Sequence, residues 1–162
     1  MILGCGYVGL RLARRLTQAG VRVAATTRDA VRAERLRAVG IAVAAQGPEA
    51  LAPGVLADCE AVIDSIPLER TAQGWRAPQL RWVDRLVASM PRLRWAGYLS
   101  STGVYGDAAG GWVDEASTNL AVDGRGAARL EAERAWRGSG APVELFRISG
   151  IYGPGRNLIE RL

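Results

Sequence analysis

Three glycines stand at G-x-G-x-x-G spacing in Gly4-Cys5-Gly6-Tyr7-Val8-Gly9, directly after a short apolar stub. Each position has a physical reason: the first glycine permits a tight turn, and the second lets a pyrophosphate approach the backbone. The third allows close helix-to-strand packing, with the phosphate on a helix N-terminus. The spacing alone is weak, and a plain glycine-rich turn would also satisfy it. Candidate cofactor contacts extend to Tyr7 and Val8 in the same loop and to Ser65, Ile66 and Pro67 farther along the chain. A site selective for NAD places an acid at the end of the second strand, on the ribose 2′-hydroxyl. Here Thr26-Thr27-Arg28 occupies that place, with no carboxylate before Asp29. Thr27 offers a hydrogen bond and Arg28 a partner for a 2′-phosphate, so the pattern favours NADP, with NAD as the alternative.

These residues need elements to hold them. From Val8 the pattern is helical, with Val8, Leu12 and Leu16 on one face and Arg11, Arg14 and Arg15 on the other. Gly20 ends that helix, residues 21–26 read as a strand, and Asp29 caps a second helix closed by Gly40. Residues 41–44 make a third strand, and residues 61–65 a fourth, stopped by Pro67. Leu80, Val83, Leu86, Val87 and Met90 form a helical stripe before Pro91. A fifth strand (95–100), a glycine-rich polar loop, a helix (125–137) and a sixth strand (143–148) complete the alternation. The expected fold class is α/β, a doubly wound parallel sheet with helices on both faces. That context turns the glycine loop into a dinucleotide site. Only three residues precede Gly4, where a buried strand has about five. With the chain stopping soon after Gly155, truncation at both ends is expected.

Composition removes several chemistries. The 162 residues are 49% apolar and 23% charged, as in one compact domain. There is no histidine or lysine, so all 21 basic residues are arginine. Histidine bases, histidine metal sites and lysine Schiff bases are therefore impossible. A net charge of +5 is compatible with a phosphorylated ligand. Because the arginines alternate with acids along helices, nucleic acid is not the expected partner. Cys5 and Cys59 build neither a disulfide framework nor a zinc cluster and suit a reducing cytoplasm. No apolar run approaches the roughly 18 residues of a membrane span. Cys5 sits where a helix N-terminus could lower its pKa, but filling space is its simpler role. Asp114 and Glu115 read as a solvated loop pair, and Trp75, Trp82, Trp95, Trp112 and Trp136 as core or interface residues.

Later strings add a resemblance. Ser100-Ser101-Thr102-Gly103-Val104-Tyr105-Gly106, Arg129-Leu130-Glu131-Ala132-Glu133 and Arg147-Ile148-Ser149-Gly150-Ile151-Tyr152-Gly153-Pro154-Gly155 follow the glycine loop in order. With them the chain resembles the extended short-chain dehydrogenase/reductase superfamily, the NAD-dependent epimerase/dehydratase family, over nearly its whole length. The resemblance implies a Rossmann fold, a separate C-terminal substrate-binding portion, and Ser101 as the residue that binds the reacting oxygen. It also implies a Tyr-x-x-x-Lys pair, in which the lysine lowers the phenol pKa and holds the nicotinamide ribose. Aligned on Arg129-Leu130, this chain instead reads Arg125-Gly126-Ala127-Ala128-Arg129. Arginine stays protonated and cannot replace the phenol. Arg129 can still bond a ribose or phosphate, unless it is merely exposed on a helix face with Glu133 and Arg137. Tyr105, at the end of the fifth strand, is the other catalytic candidate, or else an aromatic strap over the cleft.

The resemblance is thus closest to atypical members. It implies a cytoplasmic NADP-binding oxidoreductase or epimerase/dehydratase-like protein acting on a small, sugar- or nucleotide-linked substrate, with a homodimer compatible. The alternative is a non-catalytic dinucleotide-binding sensor or scaffold. FAD binding through the same loop is a weaker third reading.

Overall fold

The computed structural model describes residues 1–118 and 120–157. β1 (Ile2–Leu3) leads through the glycine loop into α1 (Tyr7–Gln18), followed by β2 (Ala24–Thr26), α2 (Ala30–Arg37) and β3 (Ala42–Ala45). A single turn, α3 (Pro53–Leu56), precedes β4 (Ala61–Asp64), and a hairpin of β5 (Glu69–Thr71) and β6 (Gly74–Arg76) follows. The second half holds α4 (Val83–Ala88), β7 (Trp95–Ser101), α5 (Gly124–Gly138) and β8 (Val143–Ile148).

Six strands form one parallel sheet in the order β3-β2-β1-β4-β7-β8. The order reverses between β1 and β4, so the connections leave to opposite sides and open a crevice at the carboxyl ends of these two strands. Side chains alternate across a strand, and the two residues of β1 divide accordingly. Ile2 joins Ala13, Val23, Leu36 and Ile41 in one apolar cluster; Leu3 joins Val62, Trp82, Leu86, Tyr98 and Trp136 in the other. The doubly wound reading therefore holds.

Three local expectations change. The hairpin was not legible, because Glu69–Thr71 and Gly74–Arg76 carry little apolar alternation. The stripe at 80–90 is a 3₁₀ turn, Pro78–Arg81, followed by the six-residue α4. Consequently Leu80 points outward while Val83, Leu86 and Met90 stay buried. Trp112 is fully exposed, unlike the buried Trp82 and Trp136, which meet edge to face at 6.1 Å. No described helix is long and apolar enough to cross a membrane.

Candidate functional site

The crevice between β1 and β4 widens into a cleft of about 670 Å³. Gly4, Gly6, Tyr7, Val8, Thr27, Arg28, Ser65, Ile66, Pro67, Ser101 and Arg129 all border it. Two sequence candidates, Gly9 and Tyr105, are not in its lining.

The glycine loop is built from the backbone outward. Gly4 takes φ +72, and a Cβ there would stand 2.7 Å from Ile66 Cγ1 and 3.1 Å from its Cα. Only glycine combines that left-handed turn with such an approach. Ser65 closes the seam by donating its hydroxyl to the Gly4 carbonyl at 2.6 Å. Thr26 Oγ1 accepts from the Gly4 amide at 2.9 Å, tying β2 to the loop. Gly9 serves packing: a Cβ would come within 3.1 Å of Ile2 Cγ2 and 3.4 Å of Cys5 Sγ. At Gly6 the nearest neighbour would be the Gly4 carbonyl at 3.8 Å, so this side of the loop is open. α1 begins here with no side-chain cap and no acid in its first turn. Its first amides are thus available to an anion. Tyr7 adds a tether, donating its hydroxyl to the Pro154 carbonyl at 3.1 Å while Arg11 stacks on its ring at 3.5 Å.

At the end of β2, Thr27 is buried and Arg28 exposed. Asp29 also borders the cleft, yet its carboxylate caps α2, accepting from the Arg32 amide at 2.9 Å. Cys5 is buried, and desolvation pushes its thiol up to about 11, so it fills space rather than acting as a thiolate.

Ser101 ends β7 at the far side of the cleft, where its Oγ accepts from the Gly103 amide at 3.1 Å. α5 presses directly against this turn. A Cβ on Gly126 would fall on the Gly103 carbonyl and the Ala121 side chain. Gly126→Ala is therefore expected to cost about 1–3 kcal/mol through overpacking, measurable by urea denaturation. Unchanged stability would show that the contact relaxes freely.

Arg129 is not an exposed helix residue; it is buried, and its Nη1 donates to the Tyr98 hydroxyl at 2.7 Å. Burial pushes the Tyr98 phenol above its ordinary range, so it is poorly suited to proton exchange. Glu133 is buried too. It accepts from Ser100 Oγ at 2.5 Å and from Arg147 Nε and Nη2 at 3.1 and 2.9 Å. The Arg147 guanidinium lies 4.9 Å from the Tyr105 ring centroid, and the hydrogen bonds it donates to Glu133 hold it firmly protonated. Tyr105 is thus half-buried beside Arg147, outside the cleft lining. Arg137, by contrast, is exposed as expected, and the Asp114 and Glu115 loop is solvated.

Sequence reasoning missed Asp64 altogether. This carboxylate, at the end of β4, is fully buried, and desolvation raises its pKa to about 6. It accepts from the Ile66 amide at 2.8 Å and from Gln79 Nε2 and Trp136 Nε1, both at 2.9 Å. It thereby braces the Ser65–Ile66 wall of the cleft against α5. The only signal was an acid closing the apolar run Ala61-Val62-Ile63.

Comparison with known proteins places this geometry among relatives. No protein-family model matches the chain. Protein YeeZ of Escherichia coli (strain K12) is 32% identical over 169 residues, covering 96% of this chain and 60% of that protein. A functionally unknown conserved protein from Silicibacter pomeroyi DSS is 33% identical with a TM-score of 0.82, over 99% of this chain and 55% of that one. UDP-glucuronic acid 4-epimerase from Bacillus cereus, solved in complex with NAD, has a TM-score of 0.72 over 94% of this chain and 57% of its own. Its identity is 17%, so that likeness is one of fold. The chain spans between 55% and 60% of the length of these three proteins.

Proposed function

We propose, from the premise that this chain has the fold of the NAD-dependent epimerase/dehydratase proteins, that it binds a nicotinamide dinucleotide along the cleft and prefers NADP. The observation that carries the reading is the uncapped α1 N-terminus behind the open face of Gly6, at the point where the strand order reverses. Gly4, Gly6, Tyr7 and Val8 cradle the pyrophosphate, with Gly9 packing the helix behind it. Thr27 and Arg28 take the adenosine ribose and its 2′-phosphate, Ser65, Ile66 and Pro67 form the opposite wall, and Arg129 reaches the nicotinamide ribose. When bound, the dinucleotide supplies the hydride chemistry. Ser101 orients a substrate oxygen, making the protein an oxidoreductase or epimerase/dehydratase-like protein for a small, sugar- or nucleotide-linked substrate.

One observation favours a second, non-catalytic reading as a dinucleotide-dependent sensor or scaffold. Arg125 lines the cleft where the family resemblance calls for the tyrosine acid/base. Loss of a general acid/base removes roughly 10²–10⁴-fold in rate. Binding with only trace turnover of sugar-nucleotides supports this reading; robust turnover defeats it.

Calorimetric titration with NADPH and NADH tests the premise and the preference together. A charge-assisted pair to the 2′-phosphate is worth about 1.5–3 kcal/mol, so NADPH is expected to bind on the order of ten- to a hundredfold more tightly. Arg28→Ala is expected to remove most of that difference. Equal affinities in the parent protein would reject the NADP preference, and binding of neither would reject the proposal.

A further inference from the structure

We propose that Arg125 and Arg129, one turn apart at the start of α5, hold an anionic group of the substrate, a carboxylate or a phosphate, beside Ser101. This deepens the dinucleotide reading and rests on it.

The charges around the cleft carry the inference. Among the described residues six arginines border it: Arg28, Arg32, Arg81, Arg125, Arg129 and Arg156. Its described acids are Asp29, Glu49 and Glu69, and all three are already engaged. Asp29 lies 3.5 Å from Arg32, while Glu69 and Glu49 lie 2.8 and 3.6 Å from Arg81. The Arg81 guanidinium, hydrogen-bonded to Glu69, holds that carboxyl below its ordinary range, as a formed pair requires. Two arginines therefore absorb every described acid of the cleft. Of the remaining four, Arg28 follows β2 and Arg156 lies 5.5 Å from the Tyr7 ring centroid, both at the dinucleotide phosphate end. Arg125 and Arg129 stand on the helix that presses on the Ser101 turn.

That pair is electrostatically unbalanced. Arg129 is 8% exposed, and its hydrogen bond goes to the neutral Tyr98 phenol. Asp64 feels the Arg129 charge, but the Asp64 oxygens accept from Ile66, Gln79 and Trp136. A buried guanidinium with so little compensation is costly unless an anion meets it. Arg125 sits in the first turn of α5, which contains no acid and has no side-chain cap. A cation there opposes the helix macrodipole, whereas an anion would be favoured. Trp75, from the β5–β6 hairpin, holds the Arg125 guanidinium 5.1 Å from its ring centroid, restricting its swing. Two planar forks so placed suit bidentate recognition of a carboxylate or phosphate.

The test is calorimetry on protein saturated with NADPH, titrated at constant ionic strength with sodium malonate, inorganic phosphate and the neutral malonamide. Malonate or phosphate is expected to bind, the stronger of the two identifying the anion class, and malonamide is not. Arg125→Gln is expected to weaken anion binding at least tenfold while NADPH affinity stays within twofold. Arg125→Lys, which keeps charge but loses the planar fork, is expected to fall between. Anion binding unaffected by Arg125→Gln, equal binding of malonamide, or no anion binding would overturn this inference alone. Failure to bind NADPH at all would overturn the dinucleotide reading and this inference with it.

Discussion

Replacing Gly6 with valine is expected to leave the sheet folded and to abolish dinucleotide binding, whereas Gly4→Val is expected to lose both. The two glycines share a motif but not a physical role. At Gly4 a side chain would collide with Ile66 across the crevice, in a backbone conformation of φ +72 that valine resists. At Gly6 a Cβ would meet only the Gly4 carbonyl, at 3.8 Å, an ordinary contact. Under the proposed function its constraint comes from a pyrophosphate approaching that face. Valine there should weaken binding at least about a hundredfold, the equivalent of about 3 kcal/mol. Circular dichroism and urea denaturation report the fold, and calorimetry with NADPH reports the site. A Gly6→Val protein that is folded and binds NADPH normally would remove the glycine loop from the dinucleotide site.

The second large effect is expected at Asp64. Asp64→Ala leaves the Ile66 amide, Gln79 Nε2 and Trp136 Nε1 without their acceptor inside the protein. Each buried donor left without a partner costs about 1–3 kcal/mol, so the three together are enough to unfold a marginal domain. The pH dependence runs opposite to that of most carboxylates. The folded pKa of about 6 lies above the ordinary 3.8, so the folded state binds the proton more tightly than the unfolded chain does. That contribution is fully present below about pH 4 and is lost as the pH rises through about 6, a total of about 3 kcal/mol. Unfolding free energies of the parent and Asp64→Asn, compared from pH 4 to pH 7, isolate this group from other titrations. The parent should lose its advantage over the variant across that interval. A difference independent of pH would mean that Asp64 is ionised in the fold as readily as in water.

Much of the scaffold was legible because its signals are local. The glycine spacing, the four-residue stripe of Val8, Leu12 and Leu16, and the Asp29 cap each depend on neighbours in the chain. All three appear in the structure, α1 and α2 included. Of the cleft candidates, the loop residues other than Gly9, Ser65 to Pro67, Thr27, Arg28, Ser101 and Arg129 do line one cavity. Tyr105 failed to join them because its direction after β7 is set by the Thr102–Val104 turn and by Arg147 on β8. No spacing within its own segment reports that.

By itself, then, the sequence determined the alternation of strands and helices, the glycine loop between β1 and α1 and the absence of the tyrosine–lysine pair. Periodicity and turn chemistry act over a few residues, and residue identity needs no partner. Only the tertiary structure decided which charges are buried. Arg129, Glu133 and Arg137 lie four residues apart along one helix, yet the first two are enclosed and the third is exposed. The difference arises because Arg129 meets Tyr98 and Glu133 meets Ser100 and Arg147, while each four-residue step turns farther around the helix and carries Arg137 off the buried face that Trp136 still occupies. Asp64 likewise gained its three donors from the loop after β4, the turn before α4, and α5. A charge's environment depends on which distant elements pack around it, and that information is absent from any local window of sequence.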